Sequence, residues 1–185
     1  RLDEVLSLLT HEVAFYVRRG PGLPEFSLVL EEPDEQQAFA TLQRLFARID
    51  RVTPAQPCRA PSEAGVTVGC VDFGRFTIRY AAFDGKVLVT TAPTGISDYR
   101  AKGDKLADDQ AFKDALDAAG APDKTGSLVY VNVHDGVQLI ESYMGISGDE
   151  MPPKVRENLK PLKSFVAYSV TNGDPTKLTA FLEIE

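Results

Sequence analysis

Residues 66–90 read VTVGCVDFGRFTIRYAAFDGKVLVT, and this stretch decides the fold. Val66, Val68 and Cys70 alternate with Thr67 and Gly69; Phe76, Ile78 and Tyr80 alternate in the same way, and so do Val87 and Val89. A period of two puts apolar side chains on one side of an extended chain, so each run is a strand. Asp72-Phe73-Gly74 separates the first pair of runs and Asp84-Gly85 the second. The Asp-Gly pair tolerates the positive φ of a type I′ hairpin turn. The stretch therefore predicts a three-stranded antiparallel meander.

Working outward toward the N-terminus, Val13, Phe15 and Val17 alternate, a loop holds Gly20-Pro21-Gly22 and Pro24, and Phe26, Leu28 and Leu30 alternate again. That is a second hairpin. Asp34 follows Pro33 and is placed to cap a helix carrying Phe39, Leu42, Leu45, Phe46 and Ile49 on one face. Leu2, Val5, Leu6 and Leu9 recur at helical spacing, which predicts a short helix at the start. Residues 53–65 hold Pro54, Pro57 and Pro61 without an apolar period and read as a surface loop.

On the C-terminal side, Pro93-Thr94-Gly95 closes the meander and opens a short helix. Phe112, Ala115, Leu116 and Ala119 lie on the next helix, with Gly120 just past its end. Residues 127–133 are apolar on both faces apart from Asn132, the pattern of a strand covered on two sides. Val137, Ile140, Tyr143 and Met144 predict another helix, and Pro152-Pro153 opens one more carrying Val155, Leu159 and Leu162. Phe165 to Val170 and Leu178 to Ile184, joined by Asn172-Gly173-Asp174, form a terminal hairpin. Hairpin-joined strands beside segregated helices define an α+β fold: an antiparallel sheet of hairpins and a three-stranded meander with helices packed against it. Residues 1–185 are read as a single α+β domain whose apolar runs zip into one layer. Gly-Ile-Ser recurs at residues 95–97 and 145–147, too short a trace to argue an internal repeat.

Charge narrows the partners. Lys and Arg number 20 against 27 Asp and Glu, a net charge of −7, which disfavours a nucleic-acid binder or an anionic bilayer as partner. No stretch approaches the roughly 18 apolar residues of a spanning helix, so direct membrane insertion of this chain is not expected. Cys58 and Cys70 are the only two cysteines. They lie in no C-x-x-C pair and beside no histidine, so zinc or redox chemistry is not indicated. Two readings of them stand. They close a disulfide between the proline-rich loop and a strand, worth about 3 kcal/mol in the chain-entropy model, or they are unpaired thiols with Cys70 a small apolar strand residue.

Catalytic chemistry is sparse. The chain has two histidines, His11 and His134. His134-Asp135 follows an apolar strand, where an imidazole oriented by a carboxylate would serve as a base; the plainer reading has Asp135 capping the next helix and His134 in solvent. Gly145-Ile146-Ser147-Gly148 lacks the spacing of a nucleophile elbow. The adjacent carboxylates Asp108-Asp109, Asp149-Glu150 and Glu31-Glu32 do not point at one centre, and the first two pairs precede helices whose dipoles they suit. Gly20-Pro21-Gly22 lacks the glycine and lysine of a phosphate loop. No catalytic, cofactor-binding or metal-ligating residue is assigned, and no cofactor is expected.

The run Lys105-Leu106-Ala107-Asp108-Asp109-Gln110-Ala111-Phe112, followed by a helix and the strand Leu128-Val129-Tyr130-Val131, resembles a motif of a bacterial family known only as a domain of unknown function. Leu2 to Val17, Phe26 to Phe46 and Gly65 to Ala92 are similar to further segments of that family. Its members carry extracytoplasmic α+β modules behind a signal or membrane anchor, mostly in actinobacteria-like lineages, and no catalytic residues come with it. The resemblance implies an envelope-facing module, the C-terminal part of a longer protein anchored through a segment absent from this chain; a Cys58–Cys70 bridge suits that setting. The expected function is a non-enzymatic extracytoplasmic binding or interaction module for a protein or small-molecule ligand. Two alternatives are a hydrolase using His134 and Asp135, and a carrier of an apolar ligand in a cavity between sheet and helices, lined by residues such as Phe15, Phe76 and Phe165.

Overall fold

Val87 and Leu88 are neighbours in sequence, point to opposite faces of one strand, and are both fully buried in the computed structural model. The structure describes residues 11–49, 55–59, 62–101, 103, 105–171 and 176–185. The helix expected over Leu2 to Leu9 and the turn at Asn172-Gly173-Asp174 lie outside the described residues. The chain divides into two compact units, residues 1–103 and 104–185, each with its own sheet. The expectation of one continuous layer is thereby corrected: among the described residues the strands form two antiparallel sheets, and the α+β class with its hairpins and meander stands.

In the first unit the elements are β1 (Val13–Arg18), β2 (Glu25–Glu31), α1 (Glu35–Ile49), β3 (Gln56–Arg59), β4 (Gly69–Asp72), β5 (Thr77–Phe83), β6 (Lys86–Thr90) and α2 (Gly95–Arg100). The six strands run in the order β1-β2-β6-β5-β4-β3, each pair antiparallel. α1 starts where Asp34 Oδ1 accepts from the Gln37 N–H at 3.0 Å, the cap expected from sequence. Its Ala38, Leu42 and Phe46 bury against Leu30, Val71, Tyr80 and Val87 on one face of the sheet. The other face carries Val29, Ala81, Phe83 and Leu88, covered by Val68 and by Ile96 of α2. The closeness of α2 depends on Gly95, where a Cβ would come within 2.7 Å of Thr90 Oγ1. Asp84 and Gly85 both take positive φ (51° and 70°), as a type I′ turn requires.

Two local expectations give way. Residues 56–59 form a strand, not a loop, because pairing with β4 overrides the missing apolar period. The first run of the meander is shorter than its alternation suggests: Val66 makes only an isolated bridge to Glu63, and β4 begins at Gly69.

The second unit holds a 3₁₀ turn (Leu106–Asp108), α3 (Gln110–Ala119), β7 (Ser127–Asn132), α4 (Val133–Ser147), α5 (Pro153–Leu159), β8 (Leu162–Val170) and β9 (Lys177–Ile184). Gly120 ends α3 at φ 63°, the left-handed cap predicted for it. α3 covers one face of the sheet β7-β8-β9, where Ala115, Val166 and Tyr168 are buried together. The Tyr168 hydroxyl donates to the Gly120 carbonyl at 3.1 Å. Strand β7 is an edge, not a strand covered on two sides: Val129 is 52% and Val131 43% exposed. Apolar composition alone does not report which strands a sheet leaves at its rim.

Truncating Leu88 to alanine removes a side chain that Ile96 of α2 and Val68 seal from solvent. The expected cost is about 2–5 kcal/mol of unfolding free energy, read from urea titration of the purified chain.

Candidate functional site

His134 lies in the first turn of α4 and is exposed. Its Nε2 is 3.1 Å from Gln138 Nε2 one turn further on, a hydrogen bond within the helix's first turns. Asp135 does not orient that ring. Asn132 is the helix cap, its Oδ1 accepting from the Asp135 N–H at 3.2 Å, while its Nδ2 donates to Asp135 Oδ2 at 2.8 Å. The cap expected of Asp135 therefore belongs to Asn132, and Asp135 returns the contact from three residues later, a reciprocal pair akin to a capping box. His134 and Asp135 are not brought together as a base and its orienting acid.

The other candidates resolve into structural roles. Asp109 Oδ1 accepts from the Phe112 N–H at 2.8 Å and caps α3, as its position suggested. Glu32 Oε1 accepts from the Asp34 N–H, and Glu35 Oε1 from the Gly85 N–H at 2.6 Å, tying α1 to the hairpin turn. Among the described residues no three His, Cys, Asp or Glu side chains are grouped to hold a metal ion, and no helix is long and apolar enough to cross a membrane.

The cavity expected of a carrier is not where that reading put it. Phe15 stacks on Phe26 at the surface with 63% of its area exposed, Phe76 stacks on Phe73 and is 42% exposed, and Phe165 belongs to the other unit. A shallow hollow of about 160 Å³ instead opens beside β1, floored by Val29 and flanked by Tyr16 and Tyr99, with Glu12, Glu31 and Lys86 at its rim.

One charged network, centred on Arg18, has no motif in the sequence to announce it. Arg18 Nε donates to Glu25 Oε2 at 2.7 Å, and its Nη2 to Asp98 Oδ2 at 3.0 Å. Thr94 Oγ1 donates to the same Asp98 oxygen at 2.9 Å. Hydrogen bonds from Arg18 and then Thr94 hold the Asp98 carboxyl below its ordinary range. The alternation of β1 and β2 places Arg18 opposite Glu25, a cross-strand pairing legible only once the register is known. Glu63 and Arg79 face each other at 3.7 Å, and Arg79 Nη1 donates to the Pro93 carbonyl at 2.6 Å.

Of the two cysteine readings the bridge is the one formed. Cys58 and Cys70 sit directly opposite each other on β3 and β4, with Cα atoms 5.3 Å apart, joined by a disulfide. Large apolar side chains are exposed in both units. On the face of β7-β8-β9 opposite α3, Val129, Val131, Leu178, Leu182 and Ile184 share one side and are all exposed. In the first unit Val13, Phe15, Val17 and Phe26 line a similar exposed strip.

Comparison with protein-family models, with curated proteins and with solved structures returns no match. The site must be read from its own residues.

Asp98→Asn removes a carboxylate whose folded pKa is depressed, so the lost stability is present above the ordinary carboxylate range and fades as pH falls through it. For a half-exposed pair the expected cost at pH 7 is about 0.2–1 kcal/mol. Wild type and variant should differ at neutral pH and converge in thermal stability only as pH falls through the lowered Asp98 value, as measured by calorimetry across pH. Asn132→Ala is expected to cost about 1 kcal/mol through loss of the α4 cap, read by urea unfolding.

Proposed function

We propose that this chain is a non-enzymatic extracytoplasmic module that works by presenting apolar sheet surface to a partner. The observation carrying the reading is the set of large apolar side chains exposed on the two edge strands of the second sheet, Val129 and Val131 on β7 and Leu178, Leu182 and Ile184 on β9. Exposed apolar surface of this kind is costly to solvate and commonly marks an interaction surface. The ionisable groups reviewed above support the same reading, since they cap helices, pair across strands or tie a turn to its sheet. The Cys58–Cys70 bridge supports an oxidising compartment. The resemblance of residues 105–131 to extracytoplasmic modules of the bacterial envelope agrees with that location.

Two measurements test this. Export to an oxidising compartment should yield protein with no alkylatable thiol under denaturing conditions, whereas fully reduced protein should take two alkyl groups and unfold at a lower temperature. A screen of ester, amide, glycoside and phosphate substrates should show no turnover attributable to the chain. Hydrolysis that disappears in His134→Ala would overturn the reading.

A further inference from the structure

On the first sheet, the face that α2 covers is covered only in part. Side chains alternate along a strand, so the register sets Ala14 and Tyr16 of β1, Val29 and Glu31 of β2, and Lys86 and Leu88 of β6 on this one face. Glu12 joins them, its carbonyl accepting from the Glu31 N–H one step beyond β1. The six residues of α2 span about 9 Å, against about 24 Å for the seven residues of β2. The helix seals Leu88 with Ile96, and its last turn sets Tyr99 edge-on to Phe83 with ring centroids 6.1 Å apart. Beyond Tyr99 the face dips into the hollow of about 160 Å³, with Val29 as floor and Tyr16 and Tyr99 as walls. Its rim carries Glu12, Glu31 and Lys86, none of which has an ion pair or side-chain hydrogen bond among the described residues. Glu31 and Lys86 are register partners, yet they are not joined.

We propose that this hollow binds a free α-amino acid with an apolar side chain. The ligand's side chain lies on Val29 between the two tyrosines, its ammonium donates to Glu31 or Glu12, and its carboxylate accepts from Lys86. A cavity of about 150 Å³ admits a benzene-sized body, so the volume suits one apolar side chain. Tyrosine rings give such a body broad contact at little cost in ordering. The charges at the rim select the headgroup. A simple cation would satisfy the carboxylates but meet Lys86, and a simple anion would meet the reverse conflict; a zwitterion answers both signs. Neighbouring strands lie about 4.8 Å apart, so Glu31 and Lys86 can each reach one end of a headgroup whose two charges sit on a single carbon. An open hollow holding a ligand of this size gives a dissociation constant on the order of 1 mM. The site lies wholly in the first unit and goes beyond the interaction-module reading, which rests on the second.

Titration of the isotope-labelled full chain, disulfide intact, with L-phenylalanine tests this through its amide chemical shifts. Saturable shifts should appear at Ala14, Val29 and Tyr99 and leave the second unit unmoved. Lys86→Met should weaken L-phenylalanine about fivefold, the scale of one exposed ion pair. The same variant should bind phenylethylamine, which lacks the carboxylate, no more weakly than wild type does. Glu12→Gln combined with Glu31→Gln should weaken L-phenylalanine by a similar factor and leave phenylpropanoate, which lacks the ammonium, no weaker. A dispersed amide spectrum shows that each variant is folded; if the double variant is not, Lys86→Met with the two analogues decides. Absence of saturable shifts in wild type overturns the proposal, as do shifts that saturate away from the hollow. So does binding of L-phenylalanine that ignores Lys86→Met, or an amine or acid analogue that binds wild type as tightly as the amino acid. Each of these outcomes leaves the interaction-module reading standing, and His134-dependent turnover, which overturns that reading, leaves this one standing.

Discussion

Because Val87 and Leu88 point to opposite faces of β6 and neither reaches water, the first sheet has to be covered on both sides. That constraint organises everything around it. α1 supplies Ala38, Leu42 and Phe46 on the Val87 side, and Ile96 of α2 with Val68 supplies cover on the Leu88 side. Burying each of the two side chains is worth about 1.5–3 kcal/mol, so leaving either face open would forfeit a sizeable part of the stability of a small unit. The polar groups of the covered faces are matched accordingly: Ser27 and Thr90 face each other across β2 and β6 with their hydroxyl oxygens 2.8 Å apart. The Arg18, Glu25 and Asp98 network then fastens α2 to the β1–β2 hairpin at the rim of the same face.

The second unit obeys the opposite constraint. Val166 and Tyr168 on β8 are buried under α3, while residues between and beside them turn toward a face that α3 does not reach. α4 packs against β8 and β7 near the Val131 end, where Gly136 lies close to the Val131 side chain, yet Ile140 and Tyr143 on that helix are themselves half exposed. A sheet with one dry face is ordinary, but its other face then normally alternates to polar residues. Here β9 keeps Leu178, Leu182 and Ile184 on the wet side, with Lys177, Thr179 and Glu183 on the other. The pattern is reversed relative to a solvated edge.

Much of this architecture was legible in the residues. The meander from Val66 to Thr90, the hairpin before it, the Asp34 and Asp109 caps and the Gly120 terminus all rest on local chemistry, and local chemistry is what a sequence displays. What escaped were properties that depend on pairing. β3 contains Pro57 and no apolar period, and becomes a strand because β4 offers it a register. β7 looks buried because its residues are apolar, and it is an edge because no strand follows it on that side. The partners of Arg18 leave no local signal because Glu25 and Asp98 are 7 and 80 residues away in the chain. The candidate site was only partly readable for the same reason: His134 and Asp135 adjoin in sequence, but Asn132 claims the carboxylate and leaves the imidazole to Gln138.

The disulfide shows how a local weakness and a compartment are linked. β3 has four residues, pairs with β4 alone, and includes a proline that brings no backbone donor to the ladder. Such a strand holds its place weakly through backbone bonding, yet it shields the outer edge of β4, whose Val71 is part of the main core. Cross-linking Cys58 to Cys70 removes much of the freedom of the loop between them in the unfolded chain, worth about 3 kcal/mol. That contribution is comparable to burying one large side chain, and it exists only where thiols are kept oxidised. An edge strand so weakly paired is held by the bridge, which fixes Cys58 to Cys70 of the neighbouring strand.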